Sequence, residues 1–263
     1  MRSRAVLAFG LGLVLLLTGC GDPARSPAQA AGPSPAPSAP PKPKPTASPR
    51  PTRTTPPKPR LRPMPTTLPA GLRRSTGDRA VALTFDDGPD PRWTPKVLDQ
   101  LRAARVTATF CLIGKQAQRY PALVARIARE GHQLCNHSWR HDMNLGRRPL
   151  AEIRADLVRT DRAIKAAVPN ARIPYYRQPG GRWTPEVVAV ARQLGMRSLH
   201  WSVDPQDWAH PTAETIIERV ESAVRPGAIV LLHDGGGDRR QTLAACQRLI
   251  PDLKRRYGIS RLR

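Results

Sequence analysis

From Arg79 to the carboxyl terminus, short apolar runs alternate with longer amphipathic ones, and this alternation limits the folds open to the chain. "RAVALTF", "VTATFCLIG", "HQLCNHS", "IPYYRQ", "RSLHWSV" and "AIVLLHD" read as six strands. Between and after them, "TPKVLDQLRAA", "PALVARIARE", "LAEIRADLVRTDRAIKAA", "TPEVVAVARQLG", "AETIIERVESAV" and "RQTLAACQRLIPDLKRRYG" read as helices. Thr94 is an expected N-cap with Pro95 at the first helical position, and Gly131 an expected C-cap. Leu123, Val124 and Ile127 share one helical face, as do Leu150, Ile153, Leu157 and Ile164 in the next helix. Strands that alternate with helices pair in parallel, so the expected fold is α/β, either a barrel or a doubly wound sheet.

The chemically capable side chains fall at the carboxyl ends of the strands. Asp86 and Asp87 close the first, His137 the third and Asp204 the fifth; Arg177 follows Tyr176 on the fourth, and His233 and Asp234 close the sixth. In a parallel barrel these ends meet on one face, where the βα loops build the site. Two adjacent carboxylates repel unless something separates their roles. His137 and His141, four apart in "NHSWRH", can face one point. With one carboxylate from "TFDDG" they make a His-His-Asp set of the kind that holds Zn²⁺ and leaves a position open. The other acid is then free to act as a base.

"TFDDG", "HSWRH", "RQPGG", "DPQDW" and "LLH", in that order, resemble the five motifs of the NodB-type polysaccharide deacetylases, carbohydrate esterase family 4, over about residues 79–250. The resemblance implies a distorted (β/α) barrel, one divalent metal ion (Zn²⁺ first, with Co, Ni or Mn as alternatives) and hydrolysis of N-acetyl groups on glycans. Carried over position by position, it implies Asp86 as general base and Asp87, His137 and His141 as metal ligands. It implies Arg177 as the brace of the base, Gly180 as an oxyanion donor through its N–H, and Asp207 as the acid that orients His233, the general acid. Leu232 is implied in the acetyl-methyl pocket, and Trp208 is the candidate sugar-contacting wall. Two departures stand out: Gly180 sits where many members carry an aromatic, which opens the cleft, and the chain ends at "YGISRLR", which leaves the last barrel strand short or missing.

Ahead of the barrel the composition changes. Arg2 and Arg4 precede an apolar run from Ala5 to Leu17, too short for a membrane span of about 20 residues and suited to a signal peptide. "LTGC" resembles a lipobox, with Cys20 as the lipidated residue. Seventeen of the thirty prolines lie between Pro23 and Pro69, a composition that buries too little apolar surface to offset its ordering entropy. The expected organisation is a lipoprotein signal peptide over 1–19, the lipidated cysteine and a disordered Pro-rich tether over 20–77, and the catalytic domain over 78–263. The expected location is the outer face of the cell membrane, anchored through Cys20 and reaching into the cell wall.

The formal charge of +23 divides into twelve basic residues and one acid over 1–77, and 31 basic and 19 acidic residues beyond. Few aromatics, no nucleic-acid-binding module and a secretion signal argue against nucleic acid as partner; an anionic wall polymer or membrane surface suits the tether. Export permits disulfides, and Cys111 and Cys135, on consecutive parallel strands, can bond if they are level and point the same way. Cys246 is expected buried and inert, His132 packed in the core, and His200 and His210 at the surface or in loops. Trp139, Trp183 and Trp201 are divided between sugar stacking and core packing. The expected substrate is an acetylated polysaccharide, with peptidoglycan N-acetylglucosamine first. Chitin or chito-oligosaccharide deacetylation and acetylxylan esterase activity are alternatives. A non-catalytic glycan-binding wall protein is the alternative of another class, which the full set of ligands, base and acid disfavours.

Overall fold

The computed structural model describes residues 61–262; the signal peptide, Cys20 and the Pro-rich segment up to residue 60 lie outside the described residues. Seven strands form one sheet: β1 (Leu72–Arg73), β2 (Ala82–Asp86), β3 (Thr109–Leu112), β4 (Gln133–Asn136), β5 (Tyr175–Tyr176), β6 (Arg197–Leu199) and β7 (Ile229–His233). Their spatial order is β1-β6-β5-β4-β3-β2-β7, and every neighbouring pair is parallel. The sheet curls into a distorted barrel under α1 (Thr94–Ala104), α2 (Gly114–Arg119), α3 (Pro121–Arg129), α4 (Leu150–Ala167), α5 (Pro185–Gln193), α6 (Ala213–Ala223) and α7 (Arg240–Tyr257).

The period of two along each strand sorts the apolar residues into two cores. Leu83, Phe85, Phe110, Leu112, Leu134, Val230 and Leu232 point outward and pack under the helices. Ala82, Cys111, Cys135, Tyr175, Leu199 and Ile229 point inward and fill the barrel. Cys111 and Cys135 are paired in register on β3 and β4, face the same way and form a disulfide with Cα atoms 4.2 Å apart. Both conditions for that bond are therefore met.

Several expectations change. The sheet begins before residue 78: Leu72 and Arg73 pair with Ser198 and Leu199, and Arg62 donates from Nη2 to the carbonyl of Gly146 (3.3 Å). Barrel closure, expected to be short of a carboxyl-terminal strand, comes partly from this segment. Ser75 bridges Ala228, the Thr76 N–H reaches the Gly227 carbonyl at 2.9 Å, and Val203 bridges Val230 at the other end. Thr94 is not an N-cap. Trp93 takes that position, and the Thr94 hydroxyl instead donates to Asp234 Oδ2. Leu150 is exposed at the start of α4, whose buried stripe is Ile153, Leu157, Thr160 and Ile164.

Candidate active site

The carboxyl ends of the strands converge on a cleft of about 360 Å³ lined by Asp86, Asp87, His137, His141, Met143, Gln178, Gly180, Trp201, Asp204, Trp208, Leu231 and His233. Asp86 is the last residue of β2 and faces inward with Thr84. Its Oδ1 accepts from Arg177 Nη1 at 2.7 Å. Arg177 is fully buried, and its remaining bonds go to Thr84 Oγ1 (2.9 Å), the Leu199 carbonyl (3.3 Å) and the His200 carbonyl (3.2 Å). A guanidinium held on four acceptors cannot follow Asp86 if it moves, so the carboxylate is aimed by a fixed cation.

Asp87 follows with φ +74°, a left-handed conformation that turns its side chain back toward the cleft. Its Oδ1 lies 3.5 Å from His137 Nε2 and 3.4 Å from His141 Nε2, and is buried without a hydrogen-bond partner. One ligand atom from each of the three residues falls within 4.8 Å of the others. Ligand atoms about 2.0–2.1 Å from a tetrahedral divalent ion stand about 3.3–3.4 Å apart, so these separations fit such an ion. His137 Nδ1 donates to the Arg177 carbonyl at 2.8 Å, which fixes the tautomer and leaves Nε2 a free lone pair in the site. An orphaned buried carboxylate oxygen and an oriented imidazole make the donor set suited to a divalent cation.

The charges agree with that reading. Burial alone would raise the Asp87 pKa, but the close contact and charge of His137, with His233 and His141, hold it far below the usual carboxylate range. Burial likewise works to lower the His137 pKa, and is outweighed by the charge of Asp86 and the close contact with Asp87, which raise it. His137 Nε2 is thus a position for positive charge, which a proton or a metal ion can supply. His141 is lowered, by burial first and by the neighbouring His137 second.

On the strand next to β2, His233 ends β7 in register with Asp86. Its Nδ1 lies 2.7 Å from Asp207 Oδ1, and its backbone N–H donates to Asp207 Oδ2 at 2.9 Å. Thr242 also donates to Oδ2 (2.8 Å), and Arg239 Nη1 to the Asp207 carbonyl (3.0 Å). Burial opposes a charged imidazole, but the Asp207 bond and charge, helped by Asp87 and Asp86, outweigh it and raise His233 to about 9. Asp86 and His233, level on neighbouring strands, are candidates for the base and the proton carrier that amide hydrolysis needs.

The family model of polysaccharide deacetylase matches residues 73–199. A chitooligosaccharide deacetylase of Bradyrhizobium sp. (strain ANU 289) is 44% identical over 200 residues, spanning 70% of this chain and 91% of that protein. The chain belongs to the polysaccharide deacetylase family. A peptidoglycan-N-acetylglucosamine deacetylase of Bacillus cereus is 39% identical over 180 residues, spanning 68% of this chain and 83% of that one. Among solved structures, the Bc1960 peptidoglycan N-acetylglucosamine deacetylase aligns with TM-score 0.69 and 34% identity over 73% of this chain and 91% of that one. A CE4 family pseudoenzyme from Bacillus anthracis aligns with TM-score 0.68 and 28% identity over 74% of this chain and 68% of that one. The fold is therefore shared by active and inactive relatives, and the residues in the cleft carry the argument for activity.

In this deacetylase the structure brings together Asp86, Asp87, His137, His141, Arg177, Gly180, Asp207, Trp208 and His233. Leu232 is the exception. It points outward into the helix-covered core, and Leu231, on the same face as His233, lines the cleft in its place. His200 is buried rather than at the surface: Trp183 Nε1 donates to its Nδ1 at 3.3 Å, and burial, with Arg74 and Arg177, lowers its pKa to about 4. His132 is a core residue, its Nδ1 accepting the Ala108 N–H at 3.1 Å. Burial raises the Cys246 thiol pKa well above its ordinary value, which keeps it inert. Trp139 and Trp183 are core residues; Trp201 and the half-exposed Trp208 line the cleft. Met143 lies over Gly180: a Cβ added there would stand 3.3 Å from its Sδ. The opening expected above Gly180 is therefore partly filled from the loop after His141. Sequence reasoning missed Arg239, Thr242 and Met143, none of which lies in a quoted motif. It noted Asp234 at a strand end without giving it a role; the carboxyl sits beneath Gly88, where burial raises its pKa to about 7.

Proposed function

We propose that this deacetylase removes N-acetyl groups from the N-acetylglucosamine of peptidoglycan, with Zn²⁺ as the ion held by Asp87, His137 and His141. The observation that carries the chemistry is that one cleft holds an Arg177-braced Asp86 and an Asp207-braced His233 together with the three candidate ligands. A divalent cation there supplies Lewis acidity to the acetamide carbonyl and lowers the pKa of water toward about 7. Asp86 takes the proton of the attacking water. Gly180, which lines the cleft, would donate its N–H to the oxygen on which charge develops; one such donor is typically worth about 2.7–4 kcal/mol. His233 holds a proton on Nε2 for the departing amine, while its Nδ1–H stays on Asp207. Trp201 and Trp208 offer apolar faces to a sugar ring, and Leu231 to the acetyl methyl.

The Bacillus relatives named for peptidoglycan deacetylation and the Pro-rich composition of the amino-terminal sequence support the peptidoglycan reading. The Bradyrhizobium relative favours a second reading, chito-oligosaccharide deacetylation. Acetate release from purified peptidoglycan, chitopentaose and acetylxylan, with and without chelator, separates the readings. Chelator-sensitive release greatest from peptidoglycan is expected; release from chitopentaose alone would move the assignment to the second reading. The lipobox-like "LTGC" supports anchoring at the outer membrane face through Cys20. Cys20→Ala should then release the protein to the medium, and unchanged membrane fractionation would remove the anchor.

A further inference from the structure

Beside the ligand loop lies a second cleft, of about 510 Å³, lined by Ile113, Lys115, Gln116, Gln118, Arg119 and Arg140. It holds three cations and no acid. Elsewhere on the protein several arginines are paired: Arg102 and Arg126 share Asp99, Arg148 holds Asp142 and Glu152, and Arg255 and Arg256 share Asp252. Among the described residues no ion pair includes Lys115, Arg119 or Arg140. Arg140 also borders an adjoining cleft that contains Arg159. The Arg159 guanidinium lies over the Trp139 ring, 3.8 Å from its centroid, which restrains it and leaves its N–H edge free to meet an anion. The acids of that cleft are engaged: Asp142 and Glu152 with Arg148, and Asp156 with the Trp139 N–H at 2.7 Å.

The backbone ties this basic cleft to the catalytic one. The Ile113 N–H donates to the carbonyl of Gly88, next to Asp87; the Gly114 and Lys115 N–H groups donate to the carbonyls of Ser138 and Trp139. Arg140 immediately precedes His141. A polymer whose acetamide enters the site passes close to these cations. We propose that the cleft of Lys115, Arg119 and Arg140 binds carboxylate groups of the glycan being deacetylated, and so selects an acid-bearing strand over a neutral one. The inference rests on the peptidoglycan reading, whose lactyl and peptide groups carry such carboxylates, whereas chito-oligosaccharides carry none.

The test compares a soluble peptidoglycan fragment bearing free carboxylates with the same fragment amidated. Binding is measured by calorimetry in the Asp86→Asn background, and kcat/KM in the native background, for the protein with and without Lys115→Gln/Arg119→Gln/Arg140→Gln. Exposed charge pairs are each worth about twofold, so the preference for the free fragment should fall about tenfold in the triple variant and shrink with added salt. Equal affinity for both fragments before substitution, or a loss that affects both equally, overturns the proposal. Variant-sensitive binding to anionic lipid vesicles with no preference between fragments would assign the cleft to a lipid surface and also overturn it. If no fragment yields acetate, the peptidoglycan reading fails, while the binding comparison still decides the cleft.

Discussion

Asp207→Asn isolates what the charge behind His233 does. The side chain keeps an oxygen for His233 Nδ1–H, now 2.7 Å from Asp207 Oδ1, but loses the negative charge that opposes burial. His233 stands at about 9 against an ordinary 6.5, a difference worth about 3 kcal/mol between its two protonation states. Without the Asp207 charge its raising contribution is lost, and the pKa falls back toward the ordinary value. A group at about 9 is about nine-tenths protonated at pH 8, and one back at the ordinary 6.5 only about 3%, so amide hydrolysis at pH 8 should drop by up to about 30-fold. Near pH 6 most of that loss disappears. A divalent cation on Asp87 offsets the share of the carboxylates across the cleft, so in the loaded enzyme the alkaline limb begins somewhat lower; the share of Asp207 remains to be removed. The same raised pKa stabilises the fold fully below pH 6.5, and that contribution is lost as pH rises through about 9. The assay is kcat/KM for acetate release from an amide substrate across the pH range. An equal loss at every pH would show that Asp207 only orients the imidazole and would refute the charge argument.

His137→Ala or His141→Ala should lower bound metal far below one per chain and abolish acetate release; full metal content by elemental analysis in the double variant would remove the ligand assignment. Asp86→Asn should retain metal and lose the rate, whereas Asp87→Asn should lose both, because Asp87 Oδ1 alone faces both imidazoles. Normal metal binding and activity in Asp87→Asn would reverse the two roles. Cys111 and Cys135 should resist alkylation after non-reducing unfolding, and replacing both by Ser should cost about 3 kcal/mol from the loop their bond closes. For a domain of this size that is a fall in Tm of about 6–12 °C, read by calorimetry.

The parallel α/β sheet was legible because apolar strands and amphipathic helices repeat in an order that few topologies accept; the choice of a barrel over a doubly wound sheet came from the family resemblance. α1, α4 and the start of α7 run as the patterns predict. The two-residue strand β1 carries too few residues to show a period, and the lone bridges that tie the sheet ends carry none. Hence closure was sought at the carboxyl terminus and found partly at the amino-terminal edge. α2 is six residues long and has little amphipathic pattern to read. Leu232 was misplaced for another reason: adjacent leucines on a strand look alike, and only the register with His233 decides which one turns inward. Thr94 matches the N-cap signal, but its hydroxyl is drawn to a buried carboxylate 140 residues away, a contact without local trace.

Asp86 and Asp87 show how two like charges can stand side by side and serve different ends. On a regular strand, period two would send Asp86 into the barrel and Asp87 outward beneath the helices, where an unpaired carboxylate is costly. The left-handed backbone at Asp87 brings both acids to one cleft from different directions. Such a conformation costs a non-glycine residue about 1–2 kcal/mol and needs room. Gly236 supplies the room: a Cβ there would stand 2.5 Å from Asp87 Oδ2. Arg239, buried and donating to the carbonyls of Gly235 and Gly236, holds that glycine turn in place. It also donates to the carbonyl of Asp207, so one guanidinium fixes the space beside the ligand and the acid behind His233 together. Each carboxylate thereby meets its own cation: Asp86 the permanent charge of Arg177, and Asp87 the site where a metal ion replaces a proton. Under the proposed roles, the repulsion between the two acids of "TFDDG" is what would keep Asp86 a base and leave Asp87 to the metal.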